Sequence, residues 1–317
     1  MPLVTPLPAH LRARVFTVAE ARALGISASR LRGRELRRPF HGIRSSVDDT
    51  TLEARCRALQ VAMRPKQFFS HNTAAMLHGI PLPLRLQNDR MLHVGAFRPG
   101  APPRRAGVVG HRLAPLATKG TTVSGLRVAS PVHAWCMLAE LLSVPDIVAA
   151  ADFLVSGESP RTSIPSLKRA AEAWRGRPGA GRLLEALPQV RAEVRSRQET
   201  HTRLVVVAAG IPEPELNASI YTPGGRFLAM PDLLWRAKKV GAEYEGDYHR
   251  SDQQQFRRDI TRRERVEDYG WRLTRFTSDD VRHGTAEFVR RIASRLGIEL
   301  DAAAVARAVT LAGTLEP

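Results

Sequence analysis

At 317 residues, with 43% hydrophobic and 25% charged residues, the chain is long enough for two or three domains that each bury a core. No apolar run approaches the roughly 20 residues of a membrane span, and the amino terminus lacks a signal-peptide pattern. A net charge of +17 points to a polyanion as partner, and only two cysteines, Cys56 and Cys136, are present. They sit in separate apolar helical runs without neighbouring metal ligands, so reduced buried thiols and a cytoplasmic location are expected.

The charge is uneven. Residues 1–194 hold 28 Lys+Arg against 13 Asp+Glu, whereas residues 195–317 hold 20 against 18. Nucleic acid is the expected polyanion, because neither a basic amphipathic membrane helix nor a lipid signal is evident. With 6% aromatic residues there is no stacking platform for single strands, which favours double-stranded DNA.

In chain order, residues 1–48 read as a winged helix-turn-helix. Thr17 caps a short helix, Gly25 breaks it, and Ser27 caps a second helix with Leu31 facing inward. The run Leu36 to Arg44 reads as strand, turn and strand, a basic wing. Arg30, Arg32, Arg34, Arg37 and Arg38 would then face phosphates. Residues 49–160 read as an α+β middle segment with a structural or partner-binding role. Helices are expected over Leu52–Met63, Ser70–Gly79 and Ser130–Leu142, with short strands at Leu92–Ala96, Val108–His111 and Leu126–Val128. His71, His78, His93 and His111 match no ligand spacing and read as scattered polar residues. Residues 161–189 read as a linker, since Gly157–Gly181 is rich in Pro, Gly, Ser and Arg, although Ser166–Trp174 could form a helix.

Residues 190–300 read as helix (Val194–Ala209), three strands (Leu216–Tyr221, Phe227–Trp235, Val240–Gly246), helix (Gln253–Tyr269), strand (Trp271–Phe276) and helix (Ala286–Leu296). The expected class is α/β (α+β) with a mixed sheet in αβββαβ order, and 301–317 is left as a tail. Asp232 lies on the second strand, and Glu243 and Glu245 lie on the third. Side chains alternate along a strand, so both glutamates face one way, and a tight Arg236–Lys239 turn brings Asp232 beside them. Such carboxylates repel unless a hard cation such as Mg²⁺ (or Mn²⁺) neutralises them.

This order, with Pro231-Asp232 followed by Glu243-Tyr244-Glu245, resembles the PD-(D/E)XK nuclease superfamily. The run Glu243–Arg250, Phe256–Asp259, Arg263 and Gly270–Phe276 is similar to an uncharacterised bacterial family related to very-short-patch-repair endonucleases. Phe16–Arg44 and Ser70–Ala75 more weakly resemble AbiEi-type antitoxins. The resemblance implies Asp232 and Glu243 as metal ligands, with Glu199 as a further acid from the opening helix. Glu245 occupies the superfamily's lysine slot, as a second-metal ligand or base. Lys239 is about 13 Å away along a strand, too far to substitute. His249 would be a base or phosphate contact. Arg258, Arg262 and Arg265 share one face of the expected helix, which either meets phosphates or is simply solvated.

The expectation is a DNA-binding, metal-dependent endonuclease. A non-catalytic transcriptional regulator or type IV antitoxin-like protein on the same fold is the alternative, and a nuclease acting on RNA is a third, weaker option. A partner protein or a homodimer is left open.

Overall fold

The computed structural model describes residues 7–47, 49–114, 120–246 and 264–317. It divides into two units, Met1–Leu138 and Ala139–Pro317. The class is α/β with mixed sheets, as expected. The boundary falls at the end of the helix Pro131–Leu138, not at residue 160.

In the first unit, β1 (Val15–Thr17) leads into α1 (Val18–Ala23). Thr17 accepts from the Glu20 amide, and Gly25 follows at φ +78°, a conformation that favours glycine. The second expected helix is only a 3₁₀ turn, Arg30–Arg32, because Gly33 turns the chain extended. Leu31 still faces inward beside Phe16, Ala21 and Leu36. β2 (Ile43–Ser45) pairs with β1, and the expected wing hairpin shrinks to one bridge between Arg37 and Ser45. Pro39 has no N–H to extend it.

The same unit continues with α2 (Leu52–Gln60), β3 (Gln67–Phe69), α3 (His71–Leu77), α4 (Leu84–Gln87), β4 (Leu92–Phe97), β5 (Val108–Leu113), β6 (Thr121–Val123), β7 (Leu126–Val128) and α5 (Pro131–Leu138). Its mixed sheet has the order β5-β4-β3-β7-β6. Cys56 and Cys136 are both buried and not joined in a disulfide.

The second unit begins with α6 (Val144–Val155), α7 (Ile164–Ala173), α8 (Ala180–Ala186) and α9 (Arg197–Ala208). The expected linker 161–189 is therefore helical, and it buries Leu167, Ala171, Trp174 and Leu183. Its Pro165 opens α7 within the first turn, where no backbone N–H is needed. Next come β8 (Glu215–Leu216), β9 (Ile220–Tyr221), β10 (Phe227–Ala229), β11 (Leu233–Trp235) and β12 (Val240–Tyr244). Residues 264–268 form α10, followed by β13 (Arg272–Phe276), α11 (Ser278–Arg282), α12 (Thr285–Leu296) and α13 (Ala302–Ala312). The expected tail is α13, which is capped by Asp301 and places Val305, Ala308 and Ala312 in the core.

Two expected strands are each split. Asn217, at φ +48°, separates β8 from β9, and Met230-Pro231-Asp232 separates β10 from β11. β9 and β10 form their own hairpin, while β13-β12-β11-β8 makes the main sheet. There β12 runs antiparallel to β11 and parallel to β13. Among the described residues no helix is long and apolar enough to cross a membrane.

Candidate metal and nucleic-acid sites

The carboxylate cluster is assembled by β11, β12 and α9. β11 pairs Leu233 with Ala242, so the next residue outward on each strand, Asp232 and Glu243, is a neighbour. The Asp232 carboxylate accepts the Tyr244 amide at 2.6 Å. Glu199 comes from the first turn of α9, where Ser196 caps its amide. Its carboxylate accepts the Arg195 amide at 2.9 Å and the Asn217 side chain at 2.7 Å. The left-handed turn that splits β8 from β9 thus delivers Asn217 to Glu199.

Contacts of other α9 residues with α6 fix that position. Arg197 and His201, one turn apart, both reach buried Asp146 on α6, at 2.7 and 2.9 Å. Thr200 and Arg203 reach buried Asp152, further along α6, at 2.8 and 3.1 Å. Burial lowers the His201 pKa against the pull of Asp146, so its neutral imidazole donates to that carboxylate.

Burial is the first cause that pushes the Asp232 carboxyl up to about 6. The Tyr244 amide opposes it, the Glu199 and Glu243 carboxylates add to it, and Arg195 opposes it again. Three acids from three elements therefore sense one another.

Glu245 follows Glu243 by two residues. It lies just past β12, donates its amide to Phe276 and forms an ion pair with Arg275 at 2.5 Å. Arg275 is the β13 neighbour of Glu243, so a guanidinium stands on this part of the sheet. Lys239 turns away to the Tyr269 carbonyl. His249, Arg258 and Arg262 lie outside the described residues.

In the first unit Arg32, Arg34, Arg37 and Arg38 are exposed, and Arg30 is half-buried in an ion pair with Glu35. Arg37 pairs with Asp49. A cleft of about 480 Å³ gathers Arg22, Arg38, His41 and Arg44. Burial, and then neighbouring Arg38, lowers the pKa of Arg44. An anion seated there would relieve the repulsion from Arg38 and favour the charged guanidinium. Arg22 and Arg44 were missed in the sequence because they lie 22 positions apart.

The structure also overturns the reading of the histidines as scattered. Among the described residues, His71, His93 and His111 form the one group of three whose ligand atoms lie within 4.8 Å of one another. Asp232, Glu199 and Glu243 form no such group. His78 stays apart, bonded to the Ala129 carbonyl.

The chain is similar to the uncharacterized proteins MT2308 and Rv2248 of Mycobacterium tuberculosis, from strains CDC 1551 and H37Rv. Each is 28% identical over 260 residues, covering 82% of this chain and 92% of the relative. A match of 260 residues exceeds either unit alone, so the similarity runs through both. No family profile matches the chain. No solved structure matches it either.

Proposed function

We propose that the protein is a DNA-binding, metal-dependent endonuclease whose hydrolytic site is the Asp232, Glu199 and Glu243 cluster. The observation that carries this reading is that acids from two other elements, Glu199 and Glu243, act electrostatically on Asp232, with Asp232 and Glu243 adjacent across β11 and β12. Carboxylates sharing a field fit a hard divalent cation, and an all-oxygen donor set favours Mg²⁺ or Mn²⁺. Those three residues would hold it. When bound, such an ion supplies Lewis acidity towards a phosphodiester and acidifies water.

The chain's own groups do the rest. Asn217 fixes the Glu199 carboxylate, and the Tyr244 amide fixes Asp232. Arg275 pairs with Glu245 and, as the β13 neighbour of Glu243, brings a cation to this part of the sheet. The first unit, with 21 Lys+Arg against 6 Asp+Glu over residues 1–138, supplies the phosphate-binding surface.

Purified protein incubated with plasmid and Mg²⁺ or Mn²⁺ tests the reading. Cleavage is expected in wild type and should be lost in Asp232→Ala, with DNA affinity retained. A second reading rests on the looser spacing of the acids: a non-catalytic DNA-binding regulator on the same fold. Site-specific binding by wild type with no divalent-dependent cleavage of any duplex would establish that reading instead.

A further inference from the structure

We propose that His71, His93 and His111 form a binding site for a divalent transition metal of the zinc class, separate in chemistry from the carboxylate cluster. The three residues come from the first position of α3 and from the adjacent parallel strands β4 and β5. The strand register pairs Gly95 with His111, and His93 lies two residues before Gly95, so both histidines project from the same sheet face. The start of α3 lies over that face. The His71 and His111 rings stack with centroids 3.6 Å apart, and those of His93 and His111 are 5.0 Å apart.

The details resemble a ligand set more than a chance gathering. His93 places Nδ1 2.9 Å from Nε2 of His111 and turns its own Nε2 to the Asp89 carboxylate at 3.2 Å. A carboxylate only accepts, so Nε2 of His93 carries a proton, and Nδ1 is the ring atom that faces the cluster. Metal-bound histidines are oriented by such a carboxylate partner. Asp89 is itself fixed by the Asn72 side chain at 3.1 Å and the Met91 amide at 2.8 Å.

The backbone is equally constrained. The Ser70 amide donates to the His93 carbonyl, and the His93 amide donates to Thr73 Oγ1, so the start of α3 grips β4 on both sides. His71 adopts φ +49°, a left-handed conformation unfavourable for a residue with a β-carbon. His71 and His93 are buried and His111 is half-buried.

Tetrahedral zinc with Zn–N bonds of about 2.0–2.1 Å holds its nitrogens about 3.3 Å apart. The observed 2.9 Å between His93 and His111 needs only a small opening, and the whole set already lies within 4.8 Å. Three neutral imidazoles favour Zn²⁺, Co²⁺, Ni²⁺ or Cu²⁺ over Mg²⁺, leaving one position for water or a further ligand. The bound ion would clip α3 to β4 and β5 within the basic unit.

The test uses the full chain, purified through a tag that is then removed and stripped with chelator. Titration with Zn²⁺, and with Co²⁺ followed by its visible absorption bands, should give one ion per chain. Raised thermal stability should accompany it. His111→Ala should lose the ion, whereas Asp232→Ala should keep it, so this result is independent of the nuclease proposal. Asp89→Asn keeps the side-chain shape and removes the charge, and it should weaken binding by roughly 10–100-fold. That variant keeps the test decisive where His111→Ala fails to fold. Substoichiometric zinc and cobalt binding by wild type would overturn the site. So would binding that Asp89→Asn and His111→Ala leave undiminished.

Discussion

Asp152 shows how a single buried acid sets a pH response. It lies on α6 and accepts from the Arg191 amide, Thr200 and Arg203. Burial nevertheless pushes its carboxyl up to about 6 against these donors and the Arg203 charge. A carboxyl raised in the folded state adds stability below its ordinary value near 3.9, and loses it as pH rises through about 6. In wild type this group should therefore steepen the loss of stability between about pH 4 and pH 6, on the order of 2–3 kcal/mol. Asp152→Asn removes that contribution, so urea unfolding across the window should show a flatter pH dependence than wild type. Parallel curves for the two proteins would assign the titration to other groups. The same residue scale shows what could be read in advance. The Thr17 cap, the burial of both cysteines and the candidates Asp232 and Glu243 are legible from local chemistry, whereas Glu199 is implied only by the family resemblance. The ion pair of Glu245 is not legible, because its partner Arg275 is 30 positions away and only the β12–β13 register brings them together.

At the scale of elements, helix ends were legible and strand breaks were not. Gly79, Gly210 and Gly297 each follow a helix at positive φ, the conformation that makes glycine a stop signal. The split of Leu216–Tyr221 and Phe227–Trp235 is set by tertiary pairing, since each half bonds to a different partner strand. The histidine set was hidden because its ligands span 40 positions and three elements, with no short spacing to betray it. Gly241 on β12 offers an element-scale test. A β-carbon there would lie 2.7 Å from Leu273 and 3.0 Å from Pro231, the residue before Asp232. Gly241→Ala must displace one of them. The expected cost is about 1–3 kcal/mol from overpacking, seen as a lower denaturant midpoint. Because Pro231 carries Asp232, cleavage should fall further than the remaining folded fraction explains. Loss of activity in proportion to folded protein would show that the strand pair tolerates the shift without moving the acid.

At the scale of the whole chain, charge and chemistry are divided between the units. Residues 1–138 carry 21 Lys+Arg against 6 Asp+Glu, and residues 139–317 carry 27 against 25. Nearly all the excess positive charge therefore belongs to one unit and the carboxylate cluster to the other. That division was legible from composition, although the expected linker and tail gave way to helices once their apolar residues found a core. It predicts that affinity for duplex DNA and its salt dependence reside mainly in the first unit. Each phosphate that the protein no longer neutralises should reduce the slope of log affinity against log salt by about 0.9. Arg22→Glu with Arg38→Glu reverses two charges at the cleft formed by Arg22, Arg38, His41 and Arg44. The double variant should weaken binding at low salt and flatten the slope by about 1.8, the equivalent of two phosphates. Divalent-dependent cleavage at saturating protein should survive, because the acids lie in the other unit. Measuring affinity at several salt concentrations separates these effects from misfolding, which would lower active protein without changing the slope. An unchanged slope in a folded double variant would remove this cleft from DNA recognition and shift the search to the remaining basic surface of residues 1–138.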